Sequence, residues 1–374
     1  MLSYLYKKDI AELYNTPIVQ QTAFWSLVKR KLGFSTVAIN FHANNSGLFY
    51  KHNSDFFINS DLLIIVQQIN KNDSIAYVPY GPELEPDTEY QCAFLEELSE
   101  SLRSFLPNNC ILIRYDLCWE SYWAKENQFY DSDGNWLREP ERFAQEIRFN
   151  FNTINKNFRK TQSNILPSNT VYLNLKPGTD DILGKMKPKT RYNIHLSDRK
   201  GVIVKVADMN SIDIWYNLYK ETAIRNKIHL NDIKYFEALL SAKADNTKSP
   251  AEMQLLIAEI SNTPLASMFL IISGHRGSYL YGASSNVNRN YMATYALQWE
   301  AMKIAKEKGC TEYDMFGISP NPDISHPLYG LYKFKTGFGG DIFHSLGCWD
   351  YPLDEERYNY FKTSELTLQG FHIH

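Results

Sequence analysis

The chain has 374 residues, 44% hydrophobic and 22% charged, with a net charge of −3 at pH 7. That mix excludes a disordered chain, and the length allows two domains. The near-neutral charge excludes a protein that coats nucleic acid or anionic membrane through its overall field, but not one with a local basic patch.

The densest apolar run, Leu62–Val66, is strand-sized and far short of a membrane span. Five cysteines (Cys92, Cys110, Cys118, Cys310, Cys348) are odd in number and lack CxxC spacing. The opening MLSYLYKKDIAELYN lacks the apolar core of a signal peptide. Both features point to reduced thiols in a cytoplasmic protein. The nine histidines form no HExxH or similar ligand spacing, so no metal is expected. The closing HIH (His372 and His374) reads as a frayed tail.

In chain order, PIVQQTAFWSLVKRKLGF predicts a helix, with Phe24, Leu27 and Val28 at helical spacing and Gly33 as its stop. STVAINF, SGLFYK and SIAYVPYGPEL read as strands. QCAFLEELSESLRSFL carries an apolar stripe of Phe94, Leu95, Leu98, Leu102 and Phe105, and CILIRYDL reads as a buried strand. The polar stretch from Glu126 to Asn169 reads as an insertion plus a linker, with Pro167 opening the strand NTVYLNL and a domain boundary near Ser168.

Next comes a basic run containing Lys185, Lys187, Lys189, Arg191, Arg199, Lys200 and Lys205, opposed by Asp198. Pro188 suits a first helical turn, where cations are disfavoured unless an anion is present. Two readings stay open there, a solvated helix face and a phosphate site.

SYLYGAS reads as a strand ending in Tyr281-Gly282. YMATYALQWEAMKIAKEKG reads as a helix with Tyr295, Trp299 and Met302 on one face, and CTEYDMFGI as the next strand. The order of strand, Tyr-Gly, loop, helix and Cys-started strand with Asp thus occurs twice, once from Gly81 to Asp116 and again from Gly282 to Asp314. A duplicated α/β domain is the expectation. Finally, GLYKFKTGFGG (Gly330–Gly340) alternates aromatics with Lys333 and Lys335 and reads as a strand. Taken alone it fits an edge strand blunted by lysines.

No GxSxG, P-loop or dinucleotide fingerprint occurs. The nearest approach to an acetyl-CoA pyrophosphate loop begins at Phe334, and its first residue is wrong. Direct transfer between two bound substrates therefore fits better than a covalent intermediate.

Together, PKTRYNIHLSDRKGVIV, YGASSNVNRNYMATYALQWEAMKIAKEKGCTEYDMFGI and GLYKFKTGFGG resemble the Fem aminoacyltransferases (FemABX family). QQTAFWSLVKRKLGF, YVPYGPELE and ILPSNTVYLNL add to the resemblance in the family's order. It implies an α/β fold of tandem GNAT-like acyltransferase domains, mixed sheets flanked by helices, with a cleft between the domains and no long coiled-coil arm. The implied division is 1–167 plus 345–374 for precursor binding, and 168–344 for transfer on the aminoacyl-tRNA side.

The implied reaction moves an amino acid from aminoacyl-tRNA to a side-chain amine of a peptidoglycan precursor, lipid-linked or UDP-linked. It builds an interpeptide bridge without a cofactor or a covalent enzyme intermediate. By the same resemblance, Lys335 assists transfer, Lys29 and Arg191 bind the precursor's phosphates, and Tyr80 and Tyr281 line the acceptor channel. Glu85 stands where an acid/base residue is found, and the glycines after Lys335 let substrate approach the backbone closely. A cytoplasmic monomer, without stable membrane insertion but peripheral at the inner face of the plasma membrane, is implied as well. The alternatives are a CoA-dependent GNAT-type N-acyltransferase, a catalytically silent precursor-binding protein, and a tRNA-dependent transferase acting on lipid or protein amines.

Overall fold

The computed structural model describes residues 1–50 and 56–367; the closing His372 and His374 lie outside them. The chain divides into two units. The first takes Met1–Tyr14, Gln20–Ser168 and the segment from His344, and the second takes Asn15–Val19 and Asn169–Phe343.

In the first unit β1 (Leu2–Lys8), β2 (Ser35–Asn44), β3 (Phe57–Gln68) and β4 (Ser74–Pro79) pair antiparallel in sequence order. β5 (Cys110–Glu120) then pairs parallel to β4, with Ser74–Pro79 beside Cys110–Asp116. The parallel register needs a crossover, and α2 (Gln91–Leu102) supplies it. Its stripe of Phe94, Leu95, Leu98 and Leu102 is buried in the core with Phe41, Tyr115 and Trp119.

α1 (Ala23–Lys31) begins at Thr22, whose hydroxyl accepts the Trp25 N–H at 3.2 Å, and it ends before Gly33. Of SGLFYK, expected as a strand over Ser46–Lys51, Lys51 lies outside the described residues, and Ser46–Tyr50 instead forms a 3-10 turn and its exit. The Asn44 carboxamide oxygen accepts the N–H and hydroxyl of Ser46 and bends the chain away from the ladder.

The stretch expected as a linker is part of this unit. It contains α3 (Arg142–Phe149) and β6 (Arg159–Lys160), and buries Trp136, Phe149 and Phe158 in the core. These large aromatics are spaced too irregularly for a periodic pattern to reveal.

The second unit repeats the plan. β7 (Asn169–Asn174) leads to α4 (Thr179–Lys185) and α5 (Pro188–Arg199), which has Pro188 in its first turn. β8 (Ile203–Ala207) follows, then α6 (Ile212–Asn226) and α7 (Ile233–Ser241). β9 (Ala251–Ile260), β10 (Thr263–Ser273) and β11 (Arg276–Ser284) continue antiparallel. α8 (Ala293–Glu307) crosses over to β12 (Glu312–Asp314), parallel to β11, and β12 pairs antiparallel with β7. Tyr281-Gly282 lies inside β11 rather than at its end. The core gathers Leu256, Met268, Leu270, Leu297, Met302 and Tyr313.

GLYKFKTGFGG is not a strand. Tyr329–Lys335 forms α9, and Thr336–Phe338 continues as a 3-10 turn. Phe334 and Phe338, four residues apart, pack on each other at 5.3 Å and both on Tyr295 of α8. That i,i+4 pair outweighs the four-residue alternation, which fits either period.

The chain returns through β13 (Asp341–Pro352), whose residues from Ser345 pair antiparallel with β5, and ends in α10 (Glu355–Thr367). In the first unit Arg114 clamps Asp350 at 2.6 and 2.8 Å and Glu365 at 2.7 Å. α6 and α8, of 15 residues each, show the scale of the helices; no helix among the described residues is long and apolar enough to cross a membrane.

Candidate functional site

The candidate residues fall into two groups, one in each unit. In the first, Lys29 lies in the last turn of α1 and is 6% exposed. Its ammonium stands over the rings of Trp25 and Phe34, at 5.5 and 5.3 Å, and burial lowers its pKa to about 8.

Tyr80 follows β4 with φ +47, and its hydroxyl donates to the Pro167 carbonyl at 2.5 Å. Glu85 is half-buried and accepts from Gln91 at 3.4 Å; burial raises its pKa, with Lys125 opposing. Asp116, the last residue of β5 beside β4, is fully buried and pushed up to about 6 by desolvation.

The second group forms around an early strand end. β11 and β12 pair only over Arg276–Ser278 and Glu312–Asp314, after which β11 runs on to Ser284 and β12 stops. The chain turns away with Phe316 at φ +57, so no ladder consumes the carbonyls of Phe316 and Gly317. Both accept from the Lys335 ammonium, at 2.7 and 2.8 Å. They take two of its three N–H donors.

Lys335 is 5% exposed, and desolvation lowers its pKa to about 7 against the pull of Asp314. Asp314 accepts the Thr170 hydroxyl and the Phe316 N–H, and its own burial raises its pKa. The resulting centre holds a lysine that exchanges between ammonium and amine near neutral pH.

Tyr279 completes this centre. Its ring lies 5.0 Å from the Lys335 ammonium. Its hydroxyl occupies the space of a side chain at residue 282, 1.6 Å from where a Cβ would stand, so the Tyr-Gly pair exists because the ring crosses that position.

Tyr281 faces elsewhere. A bulge pairs Phe269 with Tyr281 and Leu270 with Tyr279, leaving Leu280 unmatched, so the two tyrosines are on opposite faces. The Tyr281 hydroxyl donates to that of Tyr235, and its ring packs edge-on against Phe236. By strand register it is Tyr279 that corresponds to Tyr80, since Ser278 pairs with Asp314 as Pro79 pairs with Asp116.

Arg191 in α5 donates from Nη1 to the carbonyls of Gly184, at 3.0 Å, and Met186, tying the end of α4 to α5. Lys185, Lys187 and Lys189 around it are exposed. The glycines after Lys335 serve close packing within the protein. A Cβ on Gly337 would meet the Thr190 hydroxyl at 2.5 Å, and one on Gly339, which has φ +80, would meet the Lys185 carbonyl at 2.4 Å.

The sequence reading missed Tyr279, Phe316 and Gly317. Tyr279 had a signal in the register of the internal repeat; the two carbonyls had none. Among the described residues no group of three or more His, Cys, Asp or Glu is arranged to hold a metal ion.

A model of the FemAB family matches residues 14–248 and 241–365. A protein of Staphylococcus epidermidis described as lipid II:glycine glycyltransferase is 25% identical over 252 residues, and a Staphylococcus aureus protein of the same description is 24% identical over 256. Each alignment covers 52% of this chain and 61% of the relative. The crystal structure of FemX shares the fold, with a TM-score of 0.71 and 16% identity, covering 96% of this chain and all of that one.

Proposed function

For a chain that belongs to the FemAB family, we propose transfer of an aminoacyl group from aminoacyl-tRNA to a side-chain amine of a peptidoglycan precursor. The relatives' description as lipid II:glycine glycyltransferases supports an acceptor of that class. The observation that carries the chemistry is the Lys335 ammonium, held by two backbone carbonyls at the end of β12 with its pKa near neutrality.

The acceptor nitrogen forms a bond to the ester carbon, a tetrahedral oxyanion develops, and the bond to the ribose oxygen breaks. The proton lost by the amine ends on that oxygen, so the reaction is balanced without a cofactor. An ammonium with one N–H left to give suits the oxyanion, and its burial means that little solvent reorganisation opposes it. Tyr279 and the two carbonyls fix the ammonium in place.

Lys29 and Arg191 bind the precursor's phosphates, and Tyr80 lines the acceptor channel; in the second unit Tyr279 takes that place rather than Tyr281, whose hydroxyl is held by Tyr235. Glu85, with its raised pKa, is the acid/base candidate. In this reading the first unit holds the precursor through Lys29 and Tyr80, while the second performs transfer with Lys335 and adds Arg191 to the phosphates, in a cytoplasmic monomer.

The test supplies the purified protein with mixed charged tRNAs and a peptidoglycan precursor, and weighs the product with and without ribonuclease. The expected product gains one amino-acid residue, and only with intact tRNA. Product from a CoA thioester, or precursor binding without product from any donor, would contradict the reading.

A further inference from the structure

In the first unit, the span 137–154 presents large apolar side chains to solvent on a backbone that is held in place. Leu137, Phe143, Ile147, Phe151 and Ile154 are 44, 74, 61, 68 and 90% exposed. The buried residues of α3 are Gln145 and Phe149, so Phe143 and Ile147, also four apart, project from the opposite face. Phe149 is stacked on Trp349 at 4.2 Å, and the Asn150 side chain exchanges two hydrogen bonds with the Phe158 backbone.

Beyond α3, the Glu96 carboxylate accepts the backbone N–H groups of Ile154, Asn155 and Lys156 at 2.7, 2.6 and 2.7 Å. The loop carrying Ile154 is pinned, so its exposure is not slack. An ordinary surface helix turns its apolar side chains inward. Here a phenylalanine and an isoleucine point outward, and apolar side chains displayed in this way mark an interaction surface.

Charge selects the partner. Between 137 and 159, Arg138, Arg142, Arg148, Lys156 and Arg159 outnumber Glu139, Glu141 and Glu146, in a chain whose net charge is −3. Arg142, Arg148 and Arg159 pair with Glu146, Glu126 and Glu355, yet their side chains remain 44, 40 and 38% exposed. Ion pairs that exposed contribute little and give up their partners readily. Apolar anchors among arginines match the boundary of an anionic bilayer, where the anchors enter the acyl region and the guanidinium groups stay at the phosphates.

We infer that α3 and the loop through Ile154 dock the protein onto an anionic lipid surface. This deepens the proposed function and rests on it for one consequence, that the acceptor is taken in its lipid-linked form.

Cosedimentation with phosphatidylglycerol–phosphatidylcholine vesicles, without substrates, tests the docking directly. The wild type should bind, and the triple variant Phe143→Ser, Ile147→Ser, Phe151→Ser should bind at least about 10-fold more weakly. Binding should also weaken in about 0.5 M salt. The variant should keep its fold by circular dichroism, because the three side chains are exposed.

Failure of the wild type to bind, undiminished binding by the variant, or equal binding to purely zwitterionic vesicles would overturn the inference. So would a concentration-dependent dimer that the variant breaks without any vesicle binding, since a second copy would then be the occupant. In the transfer assay the variant should lose about 10-fold on acceptor embedded in vesicles and stay within about 2-fold on water-soluble precursor. If the wild type transferred to neither acceptor, the functional reading would fail, and the vesicle measurement would still decide the docking.

Discussion

The two units share a strand order and a parallel pair joined by a crossover helix, yet they end that pair differently. In the first, β5 runs past Asp116 to Glu120 and pairs with β13. Asp116 is sealed there, accepting from the Tyr77 hydroxyl and the Leu166 N–H, and Trp119 donates to the Pro82 carbonyl at 2.9 Å. In the second, β12 stops at Asp314 and the next carbonyls turn toward Lys335. One architecture thus carries a closed copy and a copy with a lysine at its strand end. The difference lies in where the ladder stops, not in the acid, which both copies have.

The sharpest way to break this comparison is substitution at the two strand ends. Lys335→Met should lower the transfer rate about 10²–10³-fold, the usual loss for a preorganised oxyanion donor. Acceptor binding should stay within about 3-fold, and Asp116→Asn should change transfer no more than that. Comparable losses at the two positions, measured by single-turnover product formation, would erase the distinction.

Within the closed copy, Asp350→Ala leaves the Arg114 guanidinium buried with Glu365 as its remaining carboxylate. A loss of about 3 kcal/mol in denaturant unfolding is expected, at the low end for a broken buried pair because Glu365 stays. Within the second unit, Gly282→Ala drives a methyl group into Tyr279. A stability loss of about 1–3 kcal/mol should accompany it, the range for overpacking, together with slower transfer as the ring leaves Lys335. Unaltered transfer would separate Tyr279 from the chemistry.

How much of this was legible follows from pattern length. α1, α2, β5 and α8 each run for nine residues or more, long enough for one period to win. The alternation Tyr332-Lys333-Phe334-Lys335 is short enough to fit a strand or a helix, and only the Phe334–Phe338 contact decides.

Lys335 was readable from its motif, but its two carbonyl partners were not. A phenylalanine at φ +57 carries no sequence signal, because bulky residues rarely adopt it. Tyr279 was hidden for a different reason. Period two puts it on the same face as Tyr281, and the bulge at Leu280 separates them. The outward apolar face of α3 was hidden in a stretch whose polar composition suggested a linker.

The central claim is that Lys335 acts as an ammonium, and it is tested most directly by the pH dependence of a ratio. Dividing the single-turnover rate of the wild type by that of Lys335→Met at each pH cancels the ionisation of the acceptor amine. With its pKa lowered to about 7, Lys335 loses its charge as pH rises through neutrality. The ratio should therefore be large near pH 6 and fall by about 10-fold by pH 8. A ratio that rises over the same interval would mean that the neutral amine acts as a base, and would contradict the account.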